Sequence, residues 1–336
     1  MKRLICFLLI LIFVLSFASC NKTGDEETET EEETYVMTDI SGIPSPVKIN
    51  GEEVPYAVFR YYYAAVKYRY DRDNEAYWDK NDYSEKIRDE VMRYIRRNYS
   101  VVECAKQYGT ELTDVEKKQI EQQLKTEKYS QYEDDYEYYE TLDAYFLTEE
   151  VNYYLAEMEK LEDKLYDYLK TEKISSDLTL VKRYLDNYVI RADHILILND
   201  EGDDVNENET LIKELYEKLQ NGADFEELKE KYSEDDDTNN SDVGYYMAKD
   251  DISQILSDTA FSLQEGEMSA VVYAPYGYHI VKRLAKDEEY IKDNLSGYFL
   301  SFYQSHIFEE MLNKLTAKQT VEYDASFYTY TPKTIK

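Results

Sequence analysis

Cysteine is nearly absent from this chain. Cys6 falls inside an N-terminal apolar run and Cys20 stands five positions beyond its end, so Cys104 stands alone and the folded body can hold no intrachain disulfide. Basic residues are also short, 39 against 71 acidic ones, for a formal charge of −32. A body so acidic repels nucleic acid and anionic lipid, which excludes both as partners held by charge. No apolar run reaches the roughly 20 residues a spanning helix needs. Glycine and proline are missing altogether between Gly109 and Gly202, which favours an unbroken helical stretch there. Histidine occurs three times, without metal-finger spacing. Asp235-Asp236-Asp237 with Asn239, Asn240 and Asp242 invites a calcium reading, but Asn240 and Tyr246 stand where an EF-hand loop needs glycine and glutamate. That run reads as a solvated acidic loop.

What is present begins with an address. Lys2 and Arg3 precede the apolar run Leu4–Leu15, and Phe17-Ala18-Ser19-Cys20 closes it, the layout of a secretory signal over residues 1–19. The close on Ala18-Ser19-Cys20 resembles a bacterial lipobox. That resemblance implies lipidation of Cys20 and an anchor on the extracytoplasmic face of a Gram-positive-like cell membrane. Residues 20–45 then read as a flexible tether, because Asp25 to Glu33 carries seven acidic residues and no apolar one.

Order is expected from Val47-Lys48-Ile49, a short strand turning at Asn50-Gly51. A helix follows from about Pro55. From Ser84 to Tyr108, Ile87, Val91, Ile95, Val102 and Ala105 fall on one helical face, Gly109 stops the helix, and Thr113-x-x-Glu116 is a capping-box signature for the next. Further helices are expected at about 130–145, 148–171 and 178–187, and one long helix over 285–318. The 37 tyrosines fit half-buried helix faces. Residues 46–187 thus form a helical segment, 188–285 a mixed block, 286–325 a C-terminal helix completing the helical domain, and 326–336 a tail.

The mixed block carries the chemistry. Val189-Ile190-Arg191-Ala192-Asp193-His194-Ile195-Leu196-Ile197 and Tyr276-Gly277-Tyr278-His279-Ile280-Val281 each set a histidine in a strand-like run. Between them lie an acidic loop, a helix with Leu211, Ile212, Leu215 and Leu219 closed by Asn221-Gly222, and a second helix from Ala223-Asp224-Phe225 to Tyr232-Ser233. Asp242-Val243-Gly244-Tyr245-Tyr246 and Val271-Val272-Tyr273 supply further strands. These landmarks resemble the parvulin family of peptidyl-prolyl isomerases. The order helical segment, mixed block, helical segment is similar to PrsA-type foldase lipoproteins and, more distantly, to SurA-type chaperones.

The resemblance implies an α+β fold in which a small antiparallel sheet with surrounding helices is inserted into a helical chaperone domain. It implies His194, His279 and Asp235 as the polar site, and Val243, Ile252 and Leu256 as the apolar pocket for a proline ring, with Tyr276 on the rim. Ala274 stands where the family usually carries a hydroxyl that joins the histidines. The implied activity is cofactor-free, metal-free cis–trans isomerisation of X–Pro bonds in unfolded exported polypeptides, with the helical domain as a cradle through which two copies could pair. Two other readings stay open at this stage: a silent parvulin scaffold in a holdase, and a surface interaction or solute-binding lipoprotein.

Overall fold

A computed structural model describes residues 34–335 apart from 80–82, 201, 236–242 and 250. The leader, Cys20, the acidic run 25–33 and the 236–242 part of the loop weighed for calcium lie outside the described residues.

The chain opens on strands β1 (Val47–Ile49) and β2 (Glu52–Glu53), joined at Asn50 and Gly51, both at positive φ as a tight hairpin turn demands. Helix α1 (Tyr56–Asp71) leads through a 3-10 turn (Glu75–Asp79) to α2 (Ser84–Tyr108), α3 (Asp114–Gln131), α4 (Asp135–Ala144), α5 (Glu149–Glu172) and α6 (Leu178–Tyr188). Gly109, left-handed, caps α2, and the capping box of Thr113 and Glu116 opens α3 as its sequence foretold. The mixed block holds β3 (Val189–Leu198), α7 (Val205–Gln220), α8 (Phe225–Tyr232), β4 (Tyr245–Ala248), α9 (Gln254–Ser262), β5 (Val272–Ala274) and β6 (Gly277–Leu284). Then come α10 (Glu288–Asn294), α11 (Tyr298–Thr316), β7 (Val321–Tyr323) and a final 3-10 turn (Ala325–Thr329).

The two ends of the chain close on each other. β7 pairs antiparallel with β1, Val47 opposite Tyr323, so the last strand joins the sheet that the first began. Deeper in, the Arg97 guanidinium of α2 reaches both Glu162 of α5 and Glu309 of α11 with four donors at 2.5–2.9 Å. Planar, bidentate pairing of this kind fixes three helices relative to one another. No helix among the described residues is long and apolar enough to cross a membrane.

Three sequence expectations differ from the structure. The span 285–318 is two helices, because Leu295-Ser296-Gly297 breaks it and Gly297 adopts φ −112°, ψ −93°, outside the helical region. Residues 326–335 are no free tail: Phe327 and Ile335 are buried with Phe59 of α1 in one core, and the Tyr330 carbonyl accepts from Tyr63 and Arg88. The end of the tether is likewise engaged, since Tyr35 and Thr38 both donate to the Asp143 carboxylate of α4. In the last two cases aromatic or hydroxyl side chains find partners that lie far off in sequence, which local composition does not reveal.

Candidate active site

The mixed block is a four-stranded antiparallel sheet in the order β4-β3-β6-β5. Side chains alternate across it. Ile195 and Ile197 of β3, with Tyr278 and Ile280 of β6, share one core with Ile212, Leu215 and Leu219 of α7 and Phe225 of α8. The register sets His194 opposite Val281 and His279 opposite Leu196, so the two histidines are diagonal neighbours on the other face. Their ring centroids lie 5.1 Å apart, although eighty-five positions separate them in sequence.

The rings form the middle of a five-membered polar chain. His279 Nε2 lies 2.9 Å from the Pro275 carbonyl, which can only accept, so Nε2 carries the proton. His279 is fully buried, and desolvation above all, with repulsion from His194, lowers its pKa to about 3; the ring is neutral. Its bare Nδ1 therefore accepts from His194 Nδ1, 3.2 Å away. His194 Nε2 then meets Asp235 Oδ2, and one proton must lie between them. The Tyr245 hydroxyl donates to the same carboxyl oxygen at 2.9 Å. Asp235 is held in front of the sheet because the chain leaving α8 docks on the free stretch of β3: Leu196 N donates to Ser233 Oγ and Glu234 N to the Leu196 carbonyl. Beneath it, Lys229 of α8 makes a buried ion pair with Asp193 at 2.7 Å, and the other oxygen of Asp193 takes the His194 amide.

Beside this chain lies a shallow apolar recess walled by Ala192, Tyr245, Met247, Ile252, Leu256, Ala260 and Val281, with His194 at its edge. Ile252 and Leu256 line this recess. Val243 does not. Gly244, at φ +67°, reverses the alternation of the strand, so Val243 packs with the core behind Tyr246 and Ala248 while Tyr245 and Met247 face the recess. A Cβ on Gly244 would stand 2.9 Å from the Ala192 carbonyl oxygen, so the turn admits no larger residue without a shift. Tyr276 is also elsewhere: its amide donates to the Arg69 carbonyl of α1 and its ring faces the Arg69 guanidinium at 5.8 Å, away from the recess. Ala274 is fully buried on the face of His279, and the hydroxyl missing there is replaced as a hydrogen-bond partner by the Pro275 carbonyl.

Tyr245 and Met247 are the site residues that sequence reasoning missed. The signal was available in the alternation of β4 once Gly244 is taken as a reversal rather than as one more strand residue. Among the described residues no group of three histidine, cysteine or carboxylate side chains could hold a metal ion.

The sequence of this chain is similar to those of known proteins. A family model described as Rotamase, the PPIC-type PPIASE domain, matches residues 194–285. Foldase protein PrsA of Caldanaerobacter subterraneus subsp. tengcongensis is 25% identical over 342 aligned residues, covering 96% of each chain. Foldase protein PrsA of Geobacillus kaustophilus is 33% identical over 131 residues, 37% of this chain and 43% of that protein. The crystal structure of PrsA from Bacillus subtilis, 25% identical, covers 68% of this chain and 82% of its own with a TM-score of 0.29. Residues 194–285 are thus a parvulin domain of the PPIC type, carried by a chain homologous to the PrsA foldases.

Proposed function

We propose that this chain is a peptidyl-prolyl cis–trans isomerase and foldase acting on exported polypeptides outside the cytosol, tethered to the membrane through lipidated Cys20. The observation that carries the reading is the hydrogen-bonded run Pro275–His279–His194–Asp235–Tyr245 beside a recess lined mainly by apolar side chains.

Rotation about an X–Pro bond is opposed by amide resonance, with a barrier of about 18–20 kcal/mol, and is slow enough to limit folding. It makes and breaks no σ-bond, so no nucleophile is needed. Ile252, Leu256 and Met247 would hold the pyrrolidine ring and strip water from the amide. Twisting the amide withdraws resonance from the carbonyl and returns a lone pair to nitrogen, so dipoles fixed in advance favour the twisted form over the planar one. His194, Asp235 and Tyr245, locked by one another, are such dipoles. His279 is too deeply buried to meet substrate, and its part is to orient His194.

Refolding of a model protein with a proline-limited slow phase tests this. Wild type should accelerate that phase, while Asp235→Ala and His194→Ala should each lose most of the acceleration. Equal acceleration by all three proteins would overturn the site. No acceleration by wild type, together with suppressed aggregation, would leave a holdase with a parvulin scaffold. For the anchor, a metabolically incorporated fatty-acid analogue should label the wild-type protein and not Cys20→Ala.

A further inference from the structure

Every α-helix ends in carbonyl groups that its own amides cannot reach. At the end of α1 two of these are closed locally: Arg72 N donates to the Tyr68 carbonyl at 2.8 Å and Asn74 N to the Asp71 carbonyl at 2.7 Å. The other two are closed by the parvulin sheet. The Tyr276 amide donates to the Arg69 carbonyl, and the Tyr273 hydroxyl to the Tyr70 carbonyl. The Tyr273 ring lies flat on Tyr77, in the turn just beyond α1, at 4.1 Å between centroids. Asn74 donates its side-chain amide to the Asp200 and Asp203 carbonyls at 3.1 and 2.9 Å, gripping the loop that follows β3.

This contact falls on the two-residue turn that serves the histidines. Pro275 and Tyr276 join β5 to β6, and the Pro275 carbonyl is the acceptor for His279 Nε2. Tyr276 holds φ +79°, a region that a bulky residue keeps only where its surroundings over-determine it. On the inner side Gly277 leaves no slack, since a Cβ there would stand 2.1 Å from the Ile197 carbonyl oxygen. The shape of the turn is therefore set on one side by the sheet and on the other by the helical domain.

We propose that the end of α1, backed by Asn74 and Tyr77, is a positioning element of the isomerase site. It fixes the Pro275–Gly277 turn, the turn fixes the Pro275 carbonyl on Nε2, and the carbonyl holds His279 in the tautomer whose Nδ1 accepts from His194. The effect on rate rests on the isomerase reading above; the effect on the ring does not.

The test uses the full chain with 15N-labelled histidine. Nitrogen chemical shifts report which ring atom carries the proton, and peptide isomerisation is measured on the same samples. Wild type should show His279 as a single Nε2–H tautomer. Tyr77→Ala, which removes the ring under Tyr273, should mix the tautomers and lower kcat several-fold with KM for a short X–Pro peptide unchanged, because Tyr77 does not reach the recess. Tyr77→Phe should restore both. Tyr273→Phe, which deletes one hydroxyl and keeps the stack, should move both readouts in the same direction by less, and it decides the matter if Tyr77→Ala does not fold. Unmoved histidine shifts and unmoved kcat in folded variants would overturn the proposal while leaving the isomerase intact. Moved shifts in a protein whose wild type isomerises nothing would keep the coupling and end the isomerase reading.

Discussion

On one face of the β4-β3-β6-β5 sheet, Ile195, Ile197, Tyr278 and Ile280 disappear beneath α7 and α8. On the other, one residue along each strand, His194 and His279 meet beside a recess that α9 only partly covers. The covered face is apolar and dry, so its contribution is packing. The opposite face spends its positions on a polar chain that runs from Pro275 to Asp235 and Tyr245. Period-2 alternation thus separates stability from chemistry within single strands, and a one-residue slip of register would exchange them.

The largest expected effect breaks the covered face. Ile280→Ala removes a fully buried side chain and should cost about 2–5 kcal/mol, read as a lower denaturant midpoint. Isomerisation by the remaining folded protein should stay near wild type. An unchanged midpoint with lost activity would mean the two faces do not divide labour as argued.

Next in size is a pH effect that sets two histidines against each other. Below about pH 6.5 the unfolded chain protonates residue 279, while the buried ring resists down to about 3, so this residue removes stability as pH falls through that window, by about 1.4 kcal/mol per pH unit. His306 of α11 works the other way. Both its nitrogens face acceptors, the Phe302 carbonyl and the Asp251 carboxylate. Burial opposes its charge, but Asp251 outweighs burial and raises its pKa. Its contribution is complete below about pH 6.5 and is lost as pH rises through the raised value. Denaturant midpoints between about pH 4.5 and 8.5 should therefore lose acid-side slope in His279→Gln and alkaline-side slope in His306→Gln. Parallel pH profiles for wild type and both variants would refute the assignment.

Smaller still is Tyr245→Phe. It deletes one donor to Asp235 at the far end of the polar chain from Pro275, so about 1 kcal/mol and a roughly five-fold loss of kcat/KM are expected, with little change in midpoint. A loss confined to stability would place Tyr245 with the packing residues instead.

Much of this was legible from the residues. Strand runs around His194 and His279, the Asn50-Gly51 turn, the Gly109 stop and the Thr113 capping box are local signals, and each forms where its pattern points. The failures have two causes, one local and one tertiary. The resemblance implies Val243 as pocket lining, but left-handed Gly244 turns it to the opposite face. Tyr276 was placed on the rim, but its direction is set by Arg69, more than two hundred residues upstream. Phe327 and Ile335 dock on a core built from the opposite end of the chain. Tertiary partners decide Tyr276, Phe327 and Ile335, and a one-dimensional period carries no trace of them.

The central claim is that the polar chain ending at Asp235 and Tyr245 speeds X–Pro rotation. Magnetisation-exchange NMR on a short X–Pro peptide measures that rotation directly, without a folding client. Catalytic amounts of wild-type protein should produce cis–trans exchange peaks, and Asp235→Ala, equally folded, should produce them far more weakly. Equal exchange with both proteins, or none with wild type, would contradict the account.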